Sequence, residues 1–181
     1  EAISSIVEGV ARELNLSAQL EATMEANPGS AEADKFLGFR QAGINRLSLG
    51  IQSFQDDKLQ ALGRVHNAEQ ARAAVEHARA AGFDSFNLDL MHGLPGQSEA
   101  DALGDLQTAI DFQPPHLSWY QLTIEPNTVF NKRPPTLPVE DLLADIQDAG
   151  EQLLADEGYG QYGVSAYSRP EMACRHNLNY W

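Results

Sequence analysis

Glu25, Gln52 and Asp89 each close the polar face of a successive short segment in which polar and apolar side chains alternate. Alternation with a period of two is the pattern of a strand, so three strands in a row end on a carboxylate or an amide. Parallel barrels gather their ligand-binding groups at this end of their strands. An unpaired buried carboxylate or amide costs roughly 1–3 kcal/mol or more, so these groups require a polar ligand, water or protein partners. A ligand seated among them satisfies that requirement. So does an internal network in which Arg46 or Arg64 neutralises the two carboxylates, and alternation alone leaves both open.

Other candidate motifs carry less. Gly158-Tyr-Gly160-Gln-Tyr-Gly163 has the spacing G-x-G-x-x-G, but a dinucleotide fingerprint follows a strand and opens a helix, whereas here a helix precedes it. A helix cap followed by a turn is the expectation. Asp89-Leu-Met-His92 offers two metal donors with no others in view, which is a weak ligand set. His77 and His116 lie in or beside regular elements and are expected to be exposed or hydrogen-bonded, with no chemical role. G-x-S-x-G, Walker A, H-E-x-x-H and paired C-x-x-C motifs are absent, which argues against serine hydrolases, P-loop ATPases, zincins and zinc ribbons. Cys174 is the single cysteine. It cannot form an internal disulfide or hold a zinc or iron-sulfur site by itself, and it fits a reducing cytosol.

The elements that must position these residues follow from periodicity. Helical spacing at Ile3, Ile6, Val7, Val10 and Leu14 predicts a helix over 2–14, and alternation over Gln19 to Met24 predicts a strand. A helix with Ser30 as its N-cap and a stripe of Ala33, Phe36 and Leu37 stops at Gly43. The strand Asn45 to Gln52 follows, with Leu47, Leu49 and Ile51 on one face and Arg46, Ser48, Gly50 and Gln52 on the other. A short helix through Lys58 and Leu62 ends at Gly63, and a longer one runs from Asn67 to Gly82. The strand Asp84 to Leu90 leads to a helix opened by a Ser98/Asp101 capping box and closed before Pro114-Pro115. Gly93-Leu94-Pro95 is a stiff turn between them. The strand His116 to Thr123, a proline-rich loop and a final helix ending at Gly158 complete the pattern, with another strand-like stretch beyond.

Helix, glycine, apolar residue and strand recur at Gly43-Ile44, Gly82-Phe83 and Gly158-Tyr159. This βα alternation predicts an α/β fold with a parallel sheet. A doubly wound sheet would show near-continuous apolar strands. The polar faces instead predict a barrel or part-barrel with a polar lumen.

Composition narrows the partners. Twelve Lys and Arg against 26 Asp and Glu give a net charge of −14, which repels nucleic-acid backbones and anionic lipid surfaces. No apolar run approaches the roughly 18 residues of a membrane span. The first residue is Glu1 and the last two are Tyr180 and Trp181, so a fragment cut at both ends is expected.

Longer words add a resemblance: Glu21-Ala-Thr-Met-Glu25-Ala-Asn27-Pro28, Gly43-Ile-Asn-Arg-Leu-Ser-Leu-Gly50-Ile-Gln52-Ser-Phe54, Leu62-Gly-Arg64-Val-His66 and Asn87-Leu-Asp89-Leu-Met-His-Gly93-Leu-Pro95-Gly96. Over essentially its whole length the chain resembles radical S-adenosylmethionine proteins related to oxygen-independent coproporphyrinogen III oxidase. Its ending, Cys174-Arg-His176-Asn177-Leu-Asn-Tyr180-Trp181, is similar to the H-N-x-x-Y-W word of the heme-chaperone (HemW) branch. The resemblance implies a partial (β/α)6 TIM barrel with a 4Fe-4S cluster on a C-x-x-x-C-x-x-C loop. That loop is not in this sequence, so residues 1–164 are expected to be an incomplete barrel without its cluster-binding unit, inactive alone, and 165–181 the start of a C-terminal region.

By motif match, Glu25, Gln52, Arg64, Asp89 and Thr123 fall on the family's S-adenosylmethionine contacts. His176 becomes the candidate axial ligand for heme, with Cys174 beside it. The implied task is heme trafficking in the cytoplasm, with heme as cargo and a heme-accepting protein as partner. The first alternative is oxidative decarboxylation by a coproporphyrinogen oxidase. A distant one is an unrelated (β/α) barrel binding a phosphorylated metabolite.

Overall fold

The computed structural model describes residues 2–17 and 19–179. Tyr180 and Trp181 of the terminal word lie outside the described residues. The chain runs α1 (Ala2–Glu13), β1 (Thr23–Ala26), a 3-10 turn (Pro28–Ser30), α2 (Ala33–Gln41), β2 (Arg46–Gln52), α3 (Asp56–Ala61) and α4 (Ala68–Ala80). It continues through β3 (Ser85–His92), α5 (Glu99–Asp111), β4 (His116–Gln121), α6 (Val129–Lys132), α7 (Glu140–Asp156), β5 (Gly160–Gln161), β6 (Ala166–Ser168) and α8 (Arg175–Leu178).

One sheet has the order β1-β2-β3-β4-β6-β5. The first four strands are parallel neighbours, as the βα alternation predicts. β6 is antiparallel to both β4 and β5, so β5 keeps the parallel sense but is separated from β4 by the returning strand. The third βα unit therefore launches its strand in the expected direction, then turns back after two residues. In Gly158-x-Gly160-x-x-Gly163, Gly158 closes α7 at φ +82, Gly160 lies in β5 and Gly163 in the following turn. This is the expected cap and turn.

The three repeated helix stops share one mechanism. Gly43, Gly82 and Gly158 adopt positive φ. Their amides and those of the following residues bond back into the helix, as in Gly43 N to Arg40 O at 3.2 Å and Ile44 N to Phe39 O at 3.1 Å. The next residues, Ile44, Phe83 and Tyr159, are buried. Glycine accepts the left-handed conformation and the apolar neighbour seals the helix end against the core.

Two boundaries differ from expectation. Ser30 does not cap α2. Asn27 caps the 3-10 turn instead, its side chain accepting from Gly29 N, and Glu32 precedes α2. Residues 19–22 are not strand. Asn45 accepts from Ala22 N at 2.8 Å and donates to the Leu20 carbonyl at 2.7 Å, so a side chain satisfies backbone that a ladder otherwise would.

The core lies between the helices and one face of the sheet: Leu47, Leu49 and Ile51 of β2, Leu88 and Leu90 of β3, and Leu117 and Trp119 of β4, under Phe36, Val75, Leu106 and Ile146. The other face is polar and concave. Glu21, just before β1 at one edge, accepts from Arg175 N at 3.1 Å, beyond the last strand. The start of α8 therefore reaches back across the polar face to the approach of β1. No helix among the described residues is long and apolar enough to cross a membrane.

Gly150, in the middle of α7, faces the buried Trp119, and a Cβ there would overlap the indole ring. Gly150→Ala is expected to lower stability by about 1–3 kcal/mol through overpacking, although alanine is the better helix former. Urea denaturation checks this, and an unchanged or higher midpoint would contradict the close approach.

Candidate functional site

Strand register stacks the lumen in layers. Thr23 pairs with Arg46, and Glu25 with Ser48. Ser48 pairs with Asn87, which pairs with His116, and Asp89 pairs with Ser118. Gln52 and Tyr120 stand above. From floor to rim the lumen therefore carries Arg46, then Glu25, Ser48, Asn87 and His116, then Asp89 and Ser118, then Gln52 and Tyr120.

Glu25, Gln52, Arg64 and Asp89 line one cavity of about 500 Å³ near the rim, with Ser48 and Tyr120. Each is held differently. Gln52 ends β2 at φ +69, beyond a register shift, and its Oε1 accepts from the Tyr120 hydroxyl at 3.0 Å. The strained turn after it is pinned from α5, where the buried Asp105 accepts from Ser53 Oγ at 2.5 Å and Phe54 N at 2.8 Å. Arg64 follows the left-handed Gly63. His66 fastens that loop to β2 by donating Nε2–H to the Ile51 carbonyl at 3.0 Å. A Cβ at Gly50 would stand 3.2 Å from Gln52 Nε2, so glycine keeps this wall open.

Asp89 is the centre of a directed network. Its oxygens accept from Ser48 Oγ at 2.9 Å and Asn87 Nδ2 at 2.7 Å, and Asn87 Nδ2 also donates to Ser48 Oγ. Because a carboxylate only accepts, the Asn87 amide points its nitrogen at Asp89. Its Oδ1 therefore accepts from His116 Nδ1 at 2.7 Å and Ser118 Oγ at 3.2 Å. The Tyr162 oxygen accepts from Cys174 N and Asn177 Nδ2, each at 3.1 Å, so its hydroxyl donates to His116 Nε2. His116 is thereby fixed as the neutral Nδ1–H form.

Burial pushes Asp89 above the usual carboxylate range, with the Glu25 charge adding to the rise and the neighbouring polar groups of Ser48, Asn87 and Ser118 opposing it. Burial, aided by the Arg46 charge, lowers His116 to about 3. Tyr120 is raised, chiefly by burial and then by the Asp89 charge. Among the described residues no ion pair joins Arg46 or Arg64 to Glu25 or Asp89, so the network that satisfies Asp89 is built from neutral donors.

A larger cavity of about 700 Å³ lies towards the floor, between the strands and α8. It shares Glu25, Ser48, Asp89 and Ser118 with the rim cavity, so the two are ends of one lumen. His176 lines it. Cys174 is buried, and its thiol donates to Glu21 Oε1 at 3.4 Å.

The family model for the radical SAM superfamily matches residues 3–109. The chain belongs to the radical SAM superfamily. It is 56% identical over 180 residues to the heme chaperone HemW of Escherichia coli strain K12, covering 99% of this chain and 48% of that protein. It is 55% identical to the heme chaperone HemW of Haemophilus influenzae, covering 100% of this chain and 47% of that one. The solved E. coli coproporphyrinogen III oxidase HemN, a radical SAM enzyme, superposes with a TM-score of 0.84 at 28% identity, over 93% of this chain and 40% of that one. The chain spans about half the length of the curated relatives it matches. Superfamily membership and the HemN match agree with the α/β partial-barrel expectation.

Not every candidate joins the site. Thr123 follows β4, is exposed, donates to Glu125 Oε1 at 3.1 Å and lines a separate hollow with Leu62 and Phe130. His92 points to the helix side of the sheet, packed against Trp119 with ring centroids 4.2 Å apart and the planes tilted by 35°. Asp89 and His92, three residues apart on one strand, thus face opposite ways and form no metal pair. His116, expected to have no role, sits within the lumen. Its parity with Ser118 and Tyr120 was the available signal. Tyr162 comes from an irregular turn, and no periodicity reveals it.

His116 titrates far below its ordinary value of 6.5, so as pH falls the unfolded chain takes up the proton first. Its contribution to stability is therefore full above about 6.5 and lost as pH falls towards about 3. His92, lowered by burial to about 4, acts in the same sense. The urea midpoint of the intact protein is expected to fall between pH 6.5 and 4, and His116→Gln to make that fall shallower. An unaltered slope in the variant would contradict a buried neutral His116.

Proposed function

We propose that this chain is the S-adenosylmethionine-binding part of a heme chaperone of the HemW type. The observation that carries the proposal is the meeting of Glu25, Gln52, Arg64 and Asp89 in one cavity. The donor set fits the ligand. Asp89 retains acceptor capacity for ribose hydroxyls, and Gln52 both donates and accepts. Arg64 is free of ion pairs among the described residues and suits the methionyl carboxylate. Glu25 suits the ammonium or sulfonium end. Thr123, which lines a separate hollow beyond β4, is carried in this proposal by its motif match alone.

In the intact protein a 4Fe-4S cluster accompanies S-adenosylmethionine, on cysteines that this sequence does not contain, and together they supply radical chemistry. This chain's residues bind and orient the ligand. Residues 1–164 are assigned to the barrel and 165–181 to the start of a C-terminal region. Heme is the cargo, with the His176 imidazole as its candidate axial ligand, a heme-accepting protein as recipient and the cytoplasm as the location. The names and the 56% and 55% identities of the two bacterial relatives support this reading. The HemN superposition favours a second reading, coproporphyrinogen oxidation, at lower identity.

Asp89→Ala and Gln52→Ala are each expected to weaken S-adenosylmethionine binding to the cluster-loaded intact protein by about tenfold or more. Titration calorimetry measures this, and unchanged affinity in both variants removes them from the site. Heme titration followed in the Soret region is expected to show weaker binding in His176→Ala, with no coproporphyrinogen turnover by the parent protein. Robust turnover would transfer the assignment to the oxidase.

A further inference from the structure

Arg46 is the one lumen layer that the network around Asp89 leaves unused. It opens β2, opposite Thr23 on one side and Ser85 on the other. Only 5% of the residue is exposed, and its guanidinium faces the 700 Å³ floor cavity. Among the described residues it makes neither an ion pair nor a side-chain hydrogen bond. Its backbone N–H donates to the Ala22 carbonyl. No described residue accepts from this guanidinium and only the cavity is open to it, so an acceptor seated there gains a charge-assisted hydrogen bond.

The neighbouring carboxylates do not supply that acceptor. Glu21 accepts from the thiol of Cys174 and the amide of Arg175. Asp89 accepts from Ser48 and Asn87. Glu25 lines the same cavity but forms no ion pair with Arg46.

We propose that the floor of the lumen is a binding subsite for a carboxylate-bearing small molecule, with Arg46 as its anchor. The planar guanidinium matches the two oxygens of a carboxylate in a paired geometry. The charge around it selects for a single negative charge. Glu21, Glu25 and Asp89 line the cavity against Arg46 and Arg175, so a dianionic phosphate meets more repulsion than a carboxylate. The floor cavity shares Glu25 and Asp89 with the rim cavity assigned to S-adenosylmethionine, but its anchor Arg46 lines the floor cavity alone. Acetate is read out with no S-adenosylmethionine present, so failure of one reading is distinguishable from failure of the other.

Sodium acetate is the probe, added to the intact protein at ionic strength matched with sodium chloride, with inorganic phosphate as the second arm. Acetate is expected to raise the melting temperature saturably, and phosphate to raise it less or not at all. Arg46→Lys, which keeps the charge and loses the fork, is expected to bind acetate about tenfold more weakly. Arg46→Met is expected to lose the acetate response and, without acetate, to melt at the same temperature as the parent or higher, because the unpaired buried charge is gone. Four results overturn the proposal: no acetate response in the parent, a response that survives in Arg46→Met, a larger response to phosphate than to acetate, or an Arg46→Met protein that melts lower or fails to fold.

Discussion

The lumen is arranged around the need to keep one half-buried, largely desolvated carboxylate hydrogen-bonded. Asp89 stands on the concave face of the sheet, lining both cavities, and accepts from donors on β2 and β3. Those donors are themselves oriented. Asn87 can turn its nitrogen to Asp89 only because His116 and Ser118 occupy its oxygen, and His116 can donate from Nδ1 only because Tyr162 donates to its other nitrogen. The register of the parallel strands brings most of these groups to two adjacent layers, and the turn after β5 brings Tyr162. A change of register by one residue would send the whole set to the helix side.

The same chain links the lumen to the segment that carries His176. Tyr162 accepts from Cys174 N and Asn177 Nδ2, and Glu21 accepts from the start of α8. Residues from beyond the last strand are thus tied both to the first strand's approach and to the centre of the sheet. The position of α8 is a consequence of one polar arrangement, with the apolar core confined to the other face.

Much of this is legible in the residues, for physical reasons that differ from element to element. Period-two alternation in β2 and β3 gives the lumen face directly, so Ser48, Gln52, Asn87 and Asp89 can be placed without coordinates. The capping boxes at Asn67/Gln70 and Ser98/Asp101 announce α4 and α5 because cap and helix are adjacent in sequence. What escapes is what depends on distant partners. The antiparallel insertion of β6 between β4 and β5, the tie from Tyr162 to His116 across 46 positions, and the replacement of a ladder by Asn45 leave no local periodicity. Ser30 was a reasonable cap by type, but the Asn27-Pro28 pair nucleates its own turn first.

Asp105 and Asp89 show why burial alone does not mark a ligand site. Asp105 is buried and Asp89 half-buried, and both are raised chiefly by desolvation. Asp105 lies on the helix side, 2% exposed, where its bonds to Ser53 and Phe54 brace the turn that carries Gln52. Asp89 has two donors of its own, and its remaining acceptor capacity opens onto both cavities. One carboxylate stabilises the strained backbone at Gln52, a conformation costing about 1–3 kcal/mol, and the other is left able to receive a ligand's donors. The structural acid on one side of the sheet is therefore a condition for the geometry of the site on the other.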